Sequence, residues 1–314
     1  DENESFKTPN KKGYQEFVKT LKNEANNYLK IVCPYRSDYN DKKQFYWLIQ
    51  SFKAIEKTFG VSQARIALLA LIDVKDRHLI QNKSFKRAIK CIENFIFAYS
   101  TLLKNQANIY ESIFSNFAIE LRKTNSVQDS DRILEKYLFS IFQTKFPQKD
   151  EFIQAFKNLS YSKDNRNQSN IITRYVLNNI CSKFDNRDIY YDDSSIEHII
   201  NEDKYVKETL NIGNLICLET TLNEEAGNLD FDEKFEIYKK SKYGQVKEFC
   251  NKYKTFKFED FRKRSEALAE YYYNKKDYVN YEKWAKYAAD RGISPATHNF
   301  AYYYEQKGDI ENAT

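Results

Sequence analysis

A mainly α-helical fold with a small α+β insert is what this sequence predicts, on three observations. Only 7 Gly and 4 Pro occur among 314 residues, too few sharp turns for a many-stranded sheet, so long helices with short connections are favoured. Phe17, Leu21 and Leu29 keep a helical spacing, and Cys91 to Leu103 is apolar on most sides, the profile of a helix central to a bundle. Near the C-terminus, Ala269-Glu270-Tyr271-Tyr272 leading to Lys276-Asp277 recurs as Ala301-Tyr302-Tyr303-Tyr304 leading to Gly308-Asp309. At about 150 residues per domain the length allows roughly two domains, or three small ones. A hydrophobic content of 41% supplies a core for each.

Taken in order, residues 1–160 read as a helical domain. Thr58-Phe59-Gly60 looks like a helix end, with Ser62 as the next N-cap and Gln63 to Val74 as the helix it opens. His78, after Lys75-Asp76-Arg77, is most simply a helix-end residue. The polar run Ser160 to Gln168 breaks the pattern and is read as a linker or a substrate-side loop. Residues 161–260 hold the α+β insert, with Ile189-Tyr190-Tyr191 and Ile196 to Ile200 as a short hairpin and Phe231 to Lys240 as the helix packed across it. Residues 261–314 are expected to be a helical-hairpin repeat, in which Trp284, Ala285, Ala288, Ala289 and Gly292 let two helices pack closely. The repeat breaks off at Thr314, so further repeats are expected in the natural protein, and His298 is placed on the repeat surface. Methionine is absent, the mark of a fragment or of methionine positions omitted from the sequence.

His198 carries the chemistry. It is one of three histidines and lies in Ser195-Ile196-Glu197-His198-Ile199-Ile200; Asn214 follows within Gly213-Asn214-Leu215, and Asn223 within Leu222-Asn223. Hydrolysis of a phosphodiester needs a deprotonated water and a counter-charge for the phosphate and the leaving oxygen. A neutral imidazole accepts a proton near pH 7. Glu197 offers a hard carboxylate oxygen and Asn223 an amide oxygen, a half-built set that suits Mg2+ or Mn2+ and leaves room for water and phosphate. Asn214 is expected to fix the loop facing the histidine through side-chain to backbone hydrogen bonds.

An acidic residue joined to a histidine, then Asn-Leu, then a third Asn, resembles an HNH (ββα-metal) nuclease. The likeness extends further: Ile196-Glu197-His198-Ile199, Ile212-Gly213-Asn214-Leu215, Leu222-Asn223 and Phe231-Asp232-Glu233-Lys234, with Tyr238 and Ser241 closing the run, resemble the C-terminal nuclease domain of GmrSD-type restriction proteins. Asn170 to Phe184 resembles the helix leading into that domain's first strand, and Phe258 to Tyr271, through Arg264 and Leu268, its closing helix. The resemblance implies a metal-dependent endonuclease acting on foreign or modified DNA in anti-phage restriction. It casts His198 and Asn214 as catalytic, Glu197 and Asn223 as holders of one divalent ion, and Asn228 and Lys234 as supports. Two features depart from the family. Relatives carry Pro-Gln where this chain has Asn201-Glu202, and the ParB-like nucleotidase signature Asp-Gly-Gln-Gln-Arg is missing, so no nucleotide site is expected on this chain. Such a nucleotidase becomes a candidate protein partner for the C-terminal repeat.

Charge and cysteine usage agree with this picture. Asp192 to Glu236 holds 13 acidic and 3 basic residues, whereas Lys239 to Arg264 holds 10 basic and 3 acidic. An acidic core beside a basic flank can hold a phosphate backbone next to a cation, which nominates Lys239, Lys240, Lys242, Arg262, Lys263 and Arg264 for DNA contact; the bland reading is a solvated helix face. Arg77, Arg87 and Lys90 are assigned to solvent rather than to DNA. Cys33, Cys91, Cys181, Cys217 and Cys250 form no CxxC pair, which excludes a zinc knuckle and fits reduced thiols in a cytoplasm. No apolar run approaches the roughly 20 residues of a membrane span, and the first residues lack a signal-peptide profile. A repeat-type scaffold with a degenerate nuclease domain and an RNA-cleaving toxin are the alternative readings.

Overall fold

The computed structural model describes residues 11–164, 168–185, 194–203 and 206–274. The N-terminal part is a bundle of α1 (Lys11–Val32), α2 (Tyr46–Lys53), α3 (Ala64–Asp76), α4 (Asn82–Ile96), α5 (Ile109–Arg122), α6 (Val127–Leu134) and α7 (Ser140–Lys145). α3 and α5 face each other at its centre. Ala67, Leu68 and Leu71 of α3 and Phe114, Phe117 and Leu121 of α5 are buried in one continuous apolar core. Phe95 of α4 stacks on Phe142 of α7 with ring centroids 4.0 Å apart. α2 and α4 run on into wider helical turns, Ala54–Phe59 and Phe97–Leu102.

Local predictions for this region are partly corrected. Gly60 ends its helix in the left-handed region at φ 70°, where a missing Cβ removes the steric cost. Ser62 does not cap the next helix, however; α3 starts at Ala64 and its N-cap position is Gln63, without a side-chain cap bond. His78 stands just past α3 at φ 60° and is exposed. The face of α1 bearing Phe17, Leu21 and Leu29 is exposed among the described residues, although the helix itself forms. Arg77 donates to the carbonyl oxygens of Arg122 and Thr124 and Arg87 lies 3.8 Å over the Phe139 ring, so both join elements of the bundle, while Lys90 pairs with Glu93 within α4.

The second part comprises α8 (Lys149–Phe156), α9 (Gln168–Phe184), β1 (Ser194–His198), β2 (Leu215–Glu219), α10 (Thr220–Ala226), α11 (Phe231–Tyr238), α12 (Gly244–Lys252) and α13 (Phe258–Asn274). β1 and β2 pair antiparallel with Ile196 opposite Cys217 and His198 opposite Leu215. The strand expected at 189–191 lies outside the described residues; β1 pairs instead with the apolar run that follows Asn214. One face of this hairpin, with Ile196, Leu215 and Cys217, packs among Val176 and Ile180 of α9, Phe152 and Phe156 of α8 and Leu268 and Tyr272 of α13. The other, with Ile216 and Leu218, packs against α10 to α12 through Ile237, Tyr238, Val246 and Phe249. Both faces are covered, so β2 is apolar from Leu215 to Leu218 rather than alternating.

Packing is continuous across residue 160, the expected end of the helical domain. Phe97, Ala98 and Leu102 of the bundle share the α8, α9 and α13 core, and the Tyr175 hydroxyl of α9 donates to Glu93 of α4 at 2.8 Å. A limit at 261 would cut α13, whose Phe261, Leu268, Ala269 and Tyr272 are all buried. Ala269 and Tyr272, placed by the sequence reading at the start of the repeat, are buried in the core shared with α8 and α9. The rest of that repeat, including Trp284 and His298, lies outside the described residues.

Candidate active site

Side chains along a strand alternate between its faces, and in β1 this separates the two central candidates. Glu197 sits opposite Ile216 and faces α11, whereas His198 sits opposite Leu215 and faces the segment around Tyr161. Their neighbourhood in sequence is thus not neighbourhood in space at the side-chain tips.

Glu197 is completely buried, and its Oε1 accepts hydrogen bonds from the Lys234 ammonium at 2.6 Å and the Tyr238 hydroxyl at 3.0 Å. Lys234 also donates to the carbonyl oxygen of His198 at 2.8 Å, so one ammonium spans both candidates. Burial pulls the Lys234 pKa down, with Glu197 opposing, and pushes the Tyr238 hydroxyl well up. Local sequence fixes this lysine. Asp230 caps α11 by accepting from the Glu233 amide at 3.1 Å, and the Glu233 carboxylate reaches back to the Asp230 amide, which turns Lys234 and Tyr238, one helical turn apart, toward the sheet. Glu197 Oε2 is buried without a hydrogen-bond partner among the described residues.

His198 is 1% exposed. Its Nε2 lies 3.1 Å from the carbonyl oxygen of Tyr161 and 3.7 Å from Glu202 Oε2, and Nδ1 has no partner among the described residues. A carbonyl oxygen only accepts, so the neutral ring carries its hydrogen on Nε2 and keeps the lone pair on Nδ1. Burial holds its pKa below the usual histidine value, opposed by the Tyr161 carbonyl and the Glu202 carboxylate. Glu202 also secures the covering segment, accepting from the Ser162 hydroxyl at 2.5 Å and the Lys163 amide at 3.0 Å.

The three asparagines differ in their work. Asn214, fully buried, accepts from the Ile200 amide at 2.8 Å and donates to the carbonyl oxygens of Ile200 and Thr209 at 2.7 and 2.8 Å. Its own carbonyl accepts from the Ile199 amide at 2.9 Å, so it clamps the chain leaving His198. Asn223 of α10 donates to Ser195 Oγ at 2.6 Å, on the same sheet face as Glu197, and its side-chain oxygen accepts no hydrogen bond from the described residues. Asn228 contributes a backbone carbonyl that accepts from Asn201 Nδ2 at 2.8 Å; its exposed side chain takes no part.

Residues 146–271 match the family model described as GmrSD restriction endonucleases, C-terminal domain. No curated protein matches the chain. The matched stretch covers less than half of the chain and runs from the end of the bundle into α13, so it takes in both faces of the hairpin. Its similarity to the C-terminal part of a restriction endonuclease supports a nuclease role for this region.

Within the GmrSD-like stretch the basic flank is divided. Lys239 and Lys240 pair with Glu236 and Glu225, while Lys242, Arg262 and Lys263 are exposed and form no ion pair among the described residues. Arg264 is a correction. It is 5% exposed and donates to the carbonyl oxygens of Gly213 and Leu215, each at 2.8 Å, with burial pushing its pKa down to about 10. From there it braces the turn before β2. Gly213 is required by the same contact, since a Cβ would lie 2.0 Å from the Phe261 carbonyl oxygen of α13. Sequence reasoning missed Tyr161 and Glu202 as partners of His198. The signals were the polar run that begins at Ser160 and the acidic departure from Pro-Gln at Asn201-Glu202.

Proposed function

We propose that this chain is a metal-dependent endonuclease of the HNH type that cleaves foreign or modified DNA in a restriction system. The observation that carries the reading is the hairpin within the GmrSD-like stretch. It holds Glu197-His198 at the end of β1 and is followed directly by α10 with Asn223 on the Glu197 face. The donors present fit a hard cation in type. Glu197 Oε2 is a buried carboxylate oxygen without a protein partner, and the Asn223 side-chain oxygen is uncommitted. No cluster of three or more His, Cys, Asp or Glu that could hold a metal occurs among the described residues, so Glu197 and Asn223 would hold Mg2+ or Mn2+ together with water and phosphate oxygens.

Such an ion supplies positive charge for the phosphate and the leaving oxygen. His198 acts as general base through Nδ1, the ring atom with the free lone pair, while its Nε2 hydrogen on the Tyr161 carbonyl fixes the ring. Lys234 holds Glu197 in its rotamer, and Asn214 fixes the chain beyond His198. Lys242, Arg262 and Lys263 meet the phosphate backbone. The C-terminal repeat recruits a protein partner, a ParB-like nucleotidase being the candidate.

One observation favours a second reading, a degenerate nuclease domain on an interaction scaffold: Glu197 and His198 are both buried and face opposite sides of β1. Incubating the full chain with Mn2+ or Mg2+ and plasmid, modified phage DNA or RNA separates these readings. Cleavage of DNA that disappears in His198→Ala supports the nuclease. Absence of cleavage on every substrate supports the scaffold, and cleavage confined to RNA makes it a ribonuclease.

A further inference from the structure

A cavity of about 630 Å³ lies between the end of α8, the 207–211 segment and the first turn of α13, and neither the motif nor the family match assigns it a ligand. Its volume suits a nucleotide-sized molecule. Three cationic side chains line it, Lys157, Lys207 and Arg262, against one carboxylate, Glu208. Lys207 and Arg262 form no ion pair among the described residues, and the Lys157 ammonium has only a distant acid, Glu266, at 3.8 Å. Phe258 also lines it, with its aromatic ring 49% exposed and open to a stacking partner.

The wall of this cavity is also the cover of His198. Residues 159–161 and 210–212 form a short backbone ladder. Ile212 donates to the Leu159 carbonyl and Tyr161 to the Leu210 carbonyl, each at 2.9 Å. Ser160, Leu210 and Asn211 of this ladder face the cavity, and the Tyr161 carbonyl on the same ladder meets His198 Nε2. A ligand in the cavity is therefore one residue away from the group that fixes the candidate base.

We propose that this cavity binds one nucleotide unit, its base on Phe258 and its phosphate held by Lys207, Arg262 and Lys157. The unit comes from a single strand displaced beside the cleavage residues or from a free nucleotide, two sources with the same chemistry. The cations supply the salt-dependent attraction for phosphate, and an exposed aromatic ring stacks any base without regard to sequence. The inference deepens the nuclease reading and rests on it only for the identity of the strand.

The test is equilibrium binding to the full chain in excess EDTA, so that it reads occupancy whether or not the protein cleaves. The probes are fluorescein-labelled dT12 by anisotropy and dTMP by calorimetry. Phe258→Ala should weaken binding roughly five- to hundredfold, the usual effect of removing one stacking platform. The double variant Lys207→Glu/Arg262→Glu should weaken it further and flatten the salt dependence by about 0.7 log units per log unit of salt, the one phosphate of the bound unit on a single strand. Tight binding of dT12 with weak dTMP assigns the strand; tight dTMP binding with the same response to substitution assigns the free nucleotide. All substituted side chains are exposed, and unchanged melting confirms that the variants fold. Wild-type affinity for both probes in both variants, or no binding of either probe to wild type, overturns the proposal. Loss of cleavage in His198→Ala with these affinities unchanged leaves it standing, and so does absence of cleavage altogether.

Discussion

The Lys234 ammonium lies 2.6 Å from Glu197 Oε1, with both side chains within 1% of complete burial. Two opposite charges withdrawn from water in this way depend on each other. Each one's desolvation is offset chiefly by its partner and, for Glu197, by the Tyr238 hydroxyl.

Removing one member leaves an uncompensated buried charge. Lys234→Ala should therefore destabilise the fold by about 3–5 kcal/mol, whereas Lys234→Met with Glu197→Leu should recover most of that loss. Urea denaturation of both variants checks this. Equal destabilisation by the single and double changes would show that the pair is not what holds α11 on the sheet.

His198→Ala should lower cleavage by about 10²–10⁴-fold, the usual contribution of a general base, with its circular dichroism spectrum unchanged. Burial holds the His198 pKa below the usual histidine value, which favours the base form, so cleavage should decline on acidification. The sign for stability is the same. The unfolded chain takes up its proton near pH 6.5 and the folded chain at lower pH, so this contribution is present above about pH 6.5 and is lost as pH falls below it. Burial alone would raise the Glu202 carboxyl, but hydrogen bonds from Lys163 and Ser162 outweigh it and set it below its usual value. Its contribution is full above about pH 4.3 and is lost as pH falls through the folded value. Melting temperatures across pH should show two acid-side losses, the upper one absent in His198→Asn.

Asn223→Ala should weaken the response to Mn2+ or Mg2+ more than it weakens DNA binding, because it deletes an oxygen donor and leaves Lys242, Arg262 and Lys263 in place. Calorimetry with Mn2+ and anisotropy with labelled DNA read the two effects separately. Unchanged metal affinity would move the ligand role off Asn223.

Gly213→Ala forces a methyl group into the Phe261 carbonyl and should cost about 1–3 kcal/mol through displacement of α13. Arg264→Met should cost a comparable amount by stranding two carbonyl oxygens. Neither change should alter the slope of DNA affinity against salt. A slope reduced by about one in Arg264→Met would return this arginine to the DNA surface.

The fold class was legible because it rests on composition and periodicity. Scarce Gly and Pro and the apolar stretch after Cys91 predicted the bundle that forms around Phe95 and Ile96. The strand pairing was not. β2 is apolar on both faces, and a short apolar run without alternation does not distinguish a buried strand from a helix segment. The motif of Glu197, His198 and Asn223 was legible as spacing but not as direction: Glu197 and Asn223 share one face of β1 and His198 takes the other, and spacing along a strand does not say which element covers which face. Arg264 misled for a related reason: a charged residue in a basic run reads as surface unless the backbone carbonyls that receive it are known. Glu202 was visible as a departure from a pattern, and only the fold shows that it reaches Ser162 and Lys163.

Asn214 engages both backbone polar groups of Ile200, and its own carbonyl receives the Ile199 amide. A strand side-chain period of two makes a slip by one residue the most damaging pairing error, because it exchanges the two faces completely. In β1 such a slip would turn His198 toward Lys234 and drive Glu197 into the apolar contacts of α8, α9 and α13. Asn214 acts as a molecular ratchet pin against that error, fitting only when Ile200 arrives at its own position. Its replacement should therefore show itself as two coexisting sets of amide resonances for β1, a proofreading defect in assembly rather than a loss of any one chemical group.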